Sequence, residues 1–380
     1  MAPCVTSIAR LYMTVKALCL AAENLARPWP DPTGTASVVA SRTILVEVRL
    51  MKDFSQLTNR GRALRLRRMA LVALRQYDLD VKRVRLLSND LNGIFRVDLA
   101  GGQKVVLRVC LPEGGHSLPE IRSEMMWLAA LSRETGLGVP RPFANRAGAL
   151  VTTVEAVGVP QARHCVVFGW MPGPDLADRL TLENVHKLGA LAAQLHAHAE
   201  TFQPPPDFSI KTADSVFPFE DEVVLFDDAH SDLMPPARRA VYLRARDRVA
   251  AALDDLYANR QGLRVLHYDL HHWNVKVFRG KLYALDFEDL MWGYPVQDIA
   301  ITFYYWQDRA DLRELRVAFK NGYTEYSDWP EQAPRQIDTL IAGRGLDLAN
   351  FILVDPNPEW QQAAPAFLET VEGRLQVLLG

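Results

Sequence analysis

Residues 267–289 read His-Tyr-Asp-Leu-His-His-Trp-Asn-Val-Lys-Val-Phe-Arg-Gly-Lys-Leu-Tyr-Ala-Leu-Asp-Phe-Glu-Asp, and this stretch decides the fold. Two short apolar runs flank the dipeptide Arg279-Gly280, which predicts a β-hairpin about that turn. Residue numbers on opposite strands then sum to about 560, so Asn274 faces Asp286 with the two side chains roughly 5 Å apart. The hairpin therefore predicts a paired amide and carboxylate.

An amide oxygen and a carboxylate at that spacing suit a magnesium ion held against a chain of phosphates. Asp269 lies on the loop just before the hairpin, five residues ahead of Asn274. Its carboxylate is left to accept a proton from a hydroxyl, as a phosphoryl-transfer site requires. The stretch thus predicts phosphoryl transfer, with Asp269 as catalytic residue and with Asn274 and Asp286 as Mg²⁺ ligands.

The pattern His267-x-Asp269-x-His271-x-x-Asn274, followed by Leu285-Asp286-Phe287-Glu288-Asp289, resembles the aminoglycoside phosphotransferase and choline kinase superfamily. It is most similar to a bacterial branch that includes the stress-response Ser/Thr kinase and homoserine kinase type II. The resemblance runs from about Leu64 to near the C-terminus. It implies a catalytic role for His271 near the phosphates, a bracing role for His267, and a glycine where this chain has Tyr268.

The resemblance also implies an α+β protein-kinase-like fold with two lobes. Residues 51–170 are expected to form a small N-lobe, with an antiparallel sheet and a helix that bind the nucleotide. Residues 171–380 are expected to form a mainly helical C-lobe with the catalytic loop and an acceptor-binding region. Residues 1–50 include a stretch rich in Pro, Gly, Ser and Thr, and they predict a disordered extension or a start codon placed too far upstream.

Nucleotide-binding residues in the N-lobe follow from the same resemblance. Ser88-Asn89-Asp90-Leu91-Asn92-Gly93 lies where kinases carry a phosphate loop, and a tight turn at Asn92-Gly93 offers backbone N–H groups to phosphate oxygens. Strand alternation places Lys104, Val106 and Arg108 on one face. The resemblance implies that Arg108 stands where kinases usually have lysine, and its fork suits two phosphate oxygens. Glu124 follows the capping box at Ser117 and is the expected partner of Arg108. Phe168 and Trp170 lie on the predicted hinge that meets adenine.

Several other residues near the site receive predictions. Asp298 matches a family aspartate that hydrogen-bonds the backbone of the catalytic loop. Acidic and aromatic residues that follow the hairpin are expected to form a wall that binds a cationic acceptor through charge and cation–π contacts, although core packing explains them as well. They are Glu288, Asp289, Trp292, Tyr294, Tyr304, Tyr305 and Trp306.

The composition favours a soluble enzyme of the cytoplasm. The chain has 380 residues, 49% of them hydrophobic, and a formal net charge of −2, which does not suggest a nucleic-acid partner. Its four cysteines, Cys4, Cys19, Cys110 and Cys165, contain no CxxC pair, which fits a reducing compartment. No apolar run approaches the ~20 residues that span a bilayer, so no membrane partner is expected.

The predicted function is transfer of the γ-phosphate of ATP, with Mg²⁺, to a hydroxyl of a small acceptor such as an amino alcohol, a homoserine-like or an aminoglycoside-like compound. A Ser/Thr protein kinase of the stress-response type and an ATP-binding pseudokinase are the alternatives that remain open. A zinc hydrolase that uses His267, Asp269, His271 and His272 is a weaker alternative, because it leaves Arg108, Glu124 and Asp286 without a role.

Overall fold

The computed structural model describes residues 52–89, 92–112, 115–219, 222–355 and 357–380, and these residues form two compact units. The smaller unit comprises the described residues of 52–126 and 141–170, and the larger unit those of 127–140 and 171–380. The predicted lobes differ from this division at residues 127–140, which group with the larger unit. The extension predicted at residues 1–50 lies outside the described residues.

The smaller unit consists of a five-stranded antiparallel sheet and a helix packed on one face of it. The strand order is β1-β2-β3-β5-β4, and every neighbouring pair is antiparallel. The elements are helix α1 (Asn59–Leu74) and strands β1 (Val81–Asn89), β2 (Gly93–Leu99), β3 (Lys104–Val109), β4 (Val151–Val154) and β5 (Arg163–Gly169). The expected antiparallel sheet is therefore confirmed.

Hydrophobic periodicity explains how α1 and the sheet share one core. Helix α1 buries Leu66, Met69 and Ala73, which are three or four residues apart and lie on one helical face. Strand β2 alternates between buried and half-buried residues along its length, as a sheet with one covered face requires. The Thr58 side chain begins the helix by accepting a hydrogen bond from the backbone N–H of Gly61 at 3.2 Å.

The larger unit is mainly helical. Helix α2 (Leu118–Glu134) contains the division between the units, which falls after Met126. The remaining described helices are α3 (Leu182–Thr201), α4 (Pro236–Tyr257), α5 (Pro295–Tyr304), α6 (Leu312–Tyr323), α7 (Gln336–Val354) and α8 (Pro358–Leu379). Short strands form a sheet of order β6-β10-β7 and a hairpin β8–β9; they are β6 (Lys211–Thr212), β7 (Arg264–Leu266), β8 (Val275–Phe278), β9 (Lys281–Ala284) and β10 (Met291–Gly293). The predicted α+β class is confirmed.

Helix α5 is the buried centre of this unit, since all ten of its residues are buried. Pro295 occupies its first turn, and the Gln297 side chain accepts a hydrogen bond from the backbone N–H of Tyr294 at 3.0 Å. Because α5 is fixed by packing on all sides, it is a rigid support for Asp298 in its first turn. Within the described residues, no helix is both long enough and apolar enough to cross a membrane.

Candidate active site

Asp298 holds the catalytic loop that connects β7 to β8. Its carboxylate accepts hydrogen bonds from the backbone N–H groups of His267 at 3.1 Å and Tyr268 at 2.7 Å. The His196 side chain from α3 lies 3.0 Å from the same carboxylate, and its other ring nitrogen lies 2.9 Å from the Tyr323 hydroxyl. The predicted contact of Asp298 with the loop backbone is therefore confirmed. His196 is a further contact of the Asp298 carboxylate.

His267 connects the loop to the segment that follows β9. Its Nε2 lies 2.8 Å from the backbone oxygen of Leu285, and its Nδ1 accepts a hydrogen bond from the backbone N–H of Asp269 at 3.3 Å. Both ring nitrogens are thus engaged within the loop and the hairpin. The expected bracing role of His267 agrees with these two contacts.

Tyr268 has a backbone conformation that favours glycine. Its φ is 60°, in the left-handed region, where a residue other than glycine costs roughly 1 kcal/mol. This conformation explains why the resembling family commonly has glycine here. The tyrosine ring is buried in a cluster with Leu266, Met291 and Ile301, and burial of an aromatic side chain offsets the backbone cost.

The Asp269 carboxylate receives hydrogen bonds and charge contacts from three side chains. Asn274 Nδ2 donates to Oδ2 at 2.7 Å, and His271 Nε2 lies 3.2 Å from the same oxygen. Arg344 Nη2, from α7, donates to Oδ1 at 2.9 Å. Burial alone would raise the pKa of Asp269, but the interaction with His271 and the charge of Arg344 outweigh burial and hold that pKa well below its ordinary value.

The hairpin differs in register from the prediction by one residue. Phe278 pairs with Lys281 and Val275 with Ala284, so paired numbers sum to 559 rather than about 560, and the predicted pairing of Asn274 with Asp286 was wrong. The connecting residues Arg279 and Gly280 have φ of 49° and 76°, the values of a two-residue type I′ turn. The residue opposite Asn274 is Leu285, whose backbone N–H donates to the backbone oxygen of Asn274 at 2.8 Å.

Asp286 follows immediately and has an unusual backbone conformation of its own. Its φ is 64°, and its side chain is exposed, whereas Asn274 is fully buried. Since the Asn274 amide nitrogen faces Asp269, its amide oxygen and the Asp286 carboxylate are the hard oxygen donors that suit Mg²⁺. The residue types at these two positions therefore fit the ion that the sequence predicts.

The histidines do not form a zinc site. His271 Nδ1 accepts a hydrogen bond from the Trp273 backbone N–H at 3.2 Å, and His272 Nδ1 accepts one from the Trp306 indole at 3.1 Å. Burial holds the pKa of His272 well below its ordinary value, so this ring is neutral. Among the residues that the structure describes, no three His, Cys, Asp or Glu side chains are grouped to hold a metal ion.

The predicted aromatic wall is largely core. Tyr294, Tyr304 and Trp306 are buried, and the Tyr294 hydroxyl donates to the backbone oxygen of Asn259 at 2.6 Å. Tyr305 is half-buried and differs from them, because its hydroxyl lies 3.3 Å from Arg344 Nη2 and its ring centroid lies 4.4 Å from that of His271. Of these aromatics, Tyr305 is the one that contacts Arg344 and His271, the two side chains beside the Asp269 carboxylate.

In the smaller unit, Arg108 and Glu124 form the predicted ion pair. Arg108 Nη1 donates to Glu124 Oε1 at 3.0 Å, and Nη2 contacts Oε2, so the pair is bidentate. Both side chains are buried, and the guanidinium lies 5.5 Å from the centroid of the Phe168 ring. A buried carboxylate needs such a partner, which is why the pattern on α2 predicted this contact.

The other predicted nucleotide residues of the smaller unit lie at the ends of strands. The Asn92 side chain accepts a hydrogen bond from the backbone N–H of Leu111 at 2.9 Å, and Gly93 begins β2. Trp170 follows β5, and the cations of Arg96 and Lys104 lie 5.4 and 5.9 Å from its ring centroid. Residues 90 and 91, in the middle of the predicted phosphate loop, are outside the described residues.

Arg344 is the site residue that the sequence analysis missed. Besides Asp269, it contacts Asp347 through Nη1 at 3.0 Å, one helical turn further along α7. A signal was present, because Gly343-Arg344-Gly345 interrupts a helix that is otherwise largely apolar. An arginine on a buried helical face requires a carboxylate partner, but the sequence does not say which of many acids supplies it.

Arg344 and Asp347 also line a pocket of the larger unit. The pocket encloses about 380 Å³ of space and is partly open to solvent. Tyr268 and Ile301 form part of its apolar wall, and Gln297 contributes an amide.

Comparisons with known proteins identify the family of this chain. Residues 83–335 match the family model described as "Phosphotransferase enzyme family", which covers about two thirds of the chain. No curated protein sequence matches the chain significantly.

Three solved structures illustrate the fold. A microcompartment-associated aminopropanol kinase is 23% identical, with a TM-score of 0.68 over 82% of this chain and 97% of that one. An amicoumacin kinase in complex with AMP-PNP, Ca²⁺ and Ami is 20% identical, with a TM-score of 0.66 over 81% of this chain and 93% of that one. A spectinomycin phosphotransferase bound to ADP and spectinomycin is 12% identical, with a TM-score of 0.57 over 81% and 97%. The chain thus belongs to the phosphotransferase enzyme family, has its kinase-like fold, and is an enzyme that transfers a phosphoryl group to a hydroxyl.

Proposed function

We propose that this phosphotransferase moves the γ-phosphate of ATP, with Mg²⁺, to a hydroxyl of a small acceptor: an amino alcohol, a homoserine-like or an aminoglycoside-like compound. The observation that carries the proposal is the contact between Asp269 and Asn274, with Nδ2 of the amide 2.7 Å from the carboxylate. This contact combines a candidate proton acceptor and a candidate metal ligand in one loop. The hairpin then brings the chain back to Asp286 immediately after the residue opposite Asn274.

Asp269 orients the acceptor hydroxyl and takes its proton. As the hydroxyl oxygen bonds to the γ-phosphorus, the bond from that phosphorus to the bridging oxygen breaks and ADP leaves. The low pKa of Asp269 makes its carboxylate a weak base, so the proton moves late, when the attacking oxygen has become acidic. Positioning of the hydroxyl is then the larger contribution of this residue.

Asn274 and Asp286 are the residues that would hold Mg²⁺, through the amide oxygen and the carboxylate. When bound, the ion would neutralise negative charge on the phosphates. His271 contacts the Asp269 carboxylate from the side of Asn274 and restricts its rotation. Arg108, fixed by its bidentate pair with Glu124, supplies positive charge for the α and β phosphates, with Asn92, Gly93, Phe168 and Trp170 as further nucleotide contacts.

Consumption of ATP by the purified chain with Mg²⁺ tests the proposal against amino alcohols, hydroxy amino acids, aminoglycosides, choline and a generic protein. Asp269→Asn should lower kcat by ~10²–10⁴-fold toward the acceptor that is used, since a positioned general base contributes that much. Asp247→Asn, which changes an exposed carboxylate on α4, is the matched control and should leave kcat unchanged.

The other outcomes identify the alternatives. Phosphate that appears only on protein would replace the small-molecule proposal with a Ser/Thr protein kinase. ATP binding without turnover on any acceptor would indicate a pseudokinase. Equal activity of Asp269→Asn and the wild type would remove Asp269 from the mechanism.

A further inference from the structure

Arg344 contacts the carboxylate oxygen of Asp269 that neither Asn274 nor His271 engages. Asn274 and His271 engage Oδ2 of that carboxylate, and Arg344 Nη2 engages Oδ1 at 2.9 Å. An acceptor that gives Arg344 a different anion to bind would open Oδ1 to its hydroxyl. An acceptor without an anion leaves the guanidinium where it is.

The charges around Arg344 also define what else such an acceptor carries. The guanidinium lies between two carboxylates, those of Asp269 and Asp347, and the side chains of all three residues are at least 85% buried. If an anion withdraws Arg344, both aspartates lose a cation. The acceptor hydroxyl then hydrogen-bonds to the Asp269 carboxylate, and a cationic group on the same acceptor neutralises the negative charge of Asp347.

The hydrogen-bonding capacity of Arg344 allows this exchange. Its Nε is buried and makes no hydrogen bond to any of the residues that the structure describes. A carboxylate bound along the side of the guanidinium accepts from Nε and Nη2 together, which is a common bidentate geometry. Turning from the two aspartates to such a ligand would therefore replace the two hydrogen bonds that Arg344 gives up with two new ones, one of them from the Nε that has no partner among the described residues.

The pocket lined by Arg344 and Asp347 limits the size of the ligand. The pocket is small and partly open to solvent, which suits a compact molecule better than an oligosaccharide. From these observations we infer that the acceptor is a small hydroxy amino acid, whose carboxylate binds Arg344, whose ammonium group binds Asp347, and whose hydroxyl then reaches Asp269. This inference rests on the proposed function and narrows its acceptor class.

Matched acceptor pairs test the inference, because the two members of each pair differ only by the carboxylate. The pairs are serine with ethanolamine, and homoserine with 3-amino-1-propanol. The wild type should prefer the carboxylated member of at least one pair by ~100-fold or more in kcat/KM, since sites built to pair a polar group reject analogues that lack it. Arg344→Gln should reduce that preference to less than ~10-fold, and Arg344→Lys should retain part of it because the charge remains. 4-Hydroxybutyrate lacks the ammonium group of homoserine. It should be a poor acceptor, because it leaves the Asp347 carboxylate without a cation.

A control variant separates recognition from stability. Arg238→Gln removes another largely buried arginine–carboxylate pair of the larger unit, with Glu372 at 2.8 Å, and should leave the preference unchanged. Equilibrium binding of each acceptor in the presence of a non-hydrolysable ATP analogue provides a readout that needs no turnover. Folding of every variant is followed by its thermal unfolding midpoint.

The outcomes distinguish failure of the inference from failure of the proposed function. Preference for the amino alcohols, or an equal loss for both members of a pair in Arg344→Gln, would overturn the inference and leave the proposed function standing. Binding of the carboxylated member to the wild type but not to Arg344→Gln, without turnover, would support the inference and overturn the proposed function. Absence of both binding and turnover would overturn both.

Discussion

Asp298 is the residue on which the geometry of the catalytic loop depends. One carboxylate, fixed on the buried helix α5, accepts from two consecutive backbone N–H groups and contacts His196. The loop cannot satisfy those N–H groups within a helix or a sheet, because it changes direction between β7 and β8. The position of Asp269, two residues along, therefore follows from Asp298 rather than from regular secondary structure.

Replacement of Asp298 by alanine should destabilise the protein by ~2–5 kcal/mol. The substitution leaves the buried N–H groups of His267 and Tyr268 without an acceptor, at a cost of about 1–3 kcal/mol each. The free energy of unfolding in urea measures the effect. Asp247→Ala, at an exposed carboxylate, should change that free energy by less than about 0.5 kcal/mol, and equal effects of the two substitutions would contradict this role of Asp298.

Tyr268 shows what a residue-level reading of the sequence leaves unexplained. The analysis found a tyrosine where the resembling family commonly has glycine, and the sequence offers no reason for it. The structure supplies both halves of the explanation: a left-handed φ of 60° and a buried site for the ring beside Ile301 and Met291. Backbone conformation and burial at a single position are tertiary properties, so local pattern does not reveal them.

At the scale of elements, the packing of α3 on α6 depends on two glycines. A Cβ atom on Gly189 would overlap the backbone oxygen of Phe319, and one on Gly322 would overlap that of His186. Backbones that approach this closely tolerate no side chain at the crossing. The crossing matters to the site, because His196 on α3 and Tyr323 at the end of α6 form the chain of contacts that ends at Asp298.

Gly189→Ala and Gly322→Ala should each destabilise the protein by at least ~2 kcal/mol, because the helices have to move apart to admit the methyl group. Gly373→Ala is the matched control, since Gly373 lies within α8 and a Cβ there meets nothing within 4 Å. That change should stabilise the protein by about 0.5–1 kcal/mol through helix propensity. Thermal or urea unfolding measures the change in stability of each variant. An unchanged free energy of unfolding in Gly189→Ala would show that the helices can separate without cost.

Most elements near the site could be predicted from the sequence, and their ends less so. The hairpin was predicted from Arg279-Gly280, but a turn of two residues shifts the pairing by one and places Leu285, not Asp286, opposite Asn274. Helix α8 begins at Pro358, where the Asn357 side chain accepts a hydrogen bond from the backbone N–H of Glu359, and it continues through Pro365. The ends of these elements are set by turn geometry and by capping hydrogen bonds, and hydrophobic periodicity contains no information about either.

At the scale of the whole molecule, ligand binding should be visible as stability. A non-hydrolysable ATP analogue that binds only the folded chain should stabilise it by about 2.7 kcal/mol at a hundred times its Kd. For a chain of this size the thermal midpoint should rise by about 3 °C. The rise should shrink when Mg²⁺ is removed by a chelator, and it should be lost in Asp286→Asn but not in Asp247→Asn. An equal rise without Mg²⁺ would argue against the proposed metal ligands.

The sequence by itself determined the family, the α+β class, the antiparallel sheet and the ion pair of Arg108 with Glu124, and it predicted Asp269, Asn274 and Asp286 as candidate site residues. These depend on local spacing and periodicity, which a linear pattern contains. Only the tertiary structure decided that Arg344 contacts Asp269 from 75 residues away, that Tyr294, Tyr304 and Trp306 are core, and that His196 supports Asp298. Long-range pairing of buried charges depends on how helices pack, and many partners satisfy the same sequence until the packing selects one.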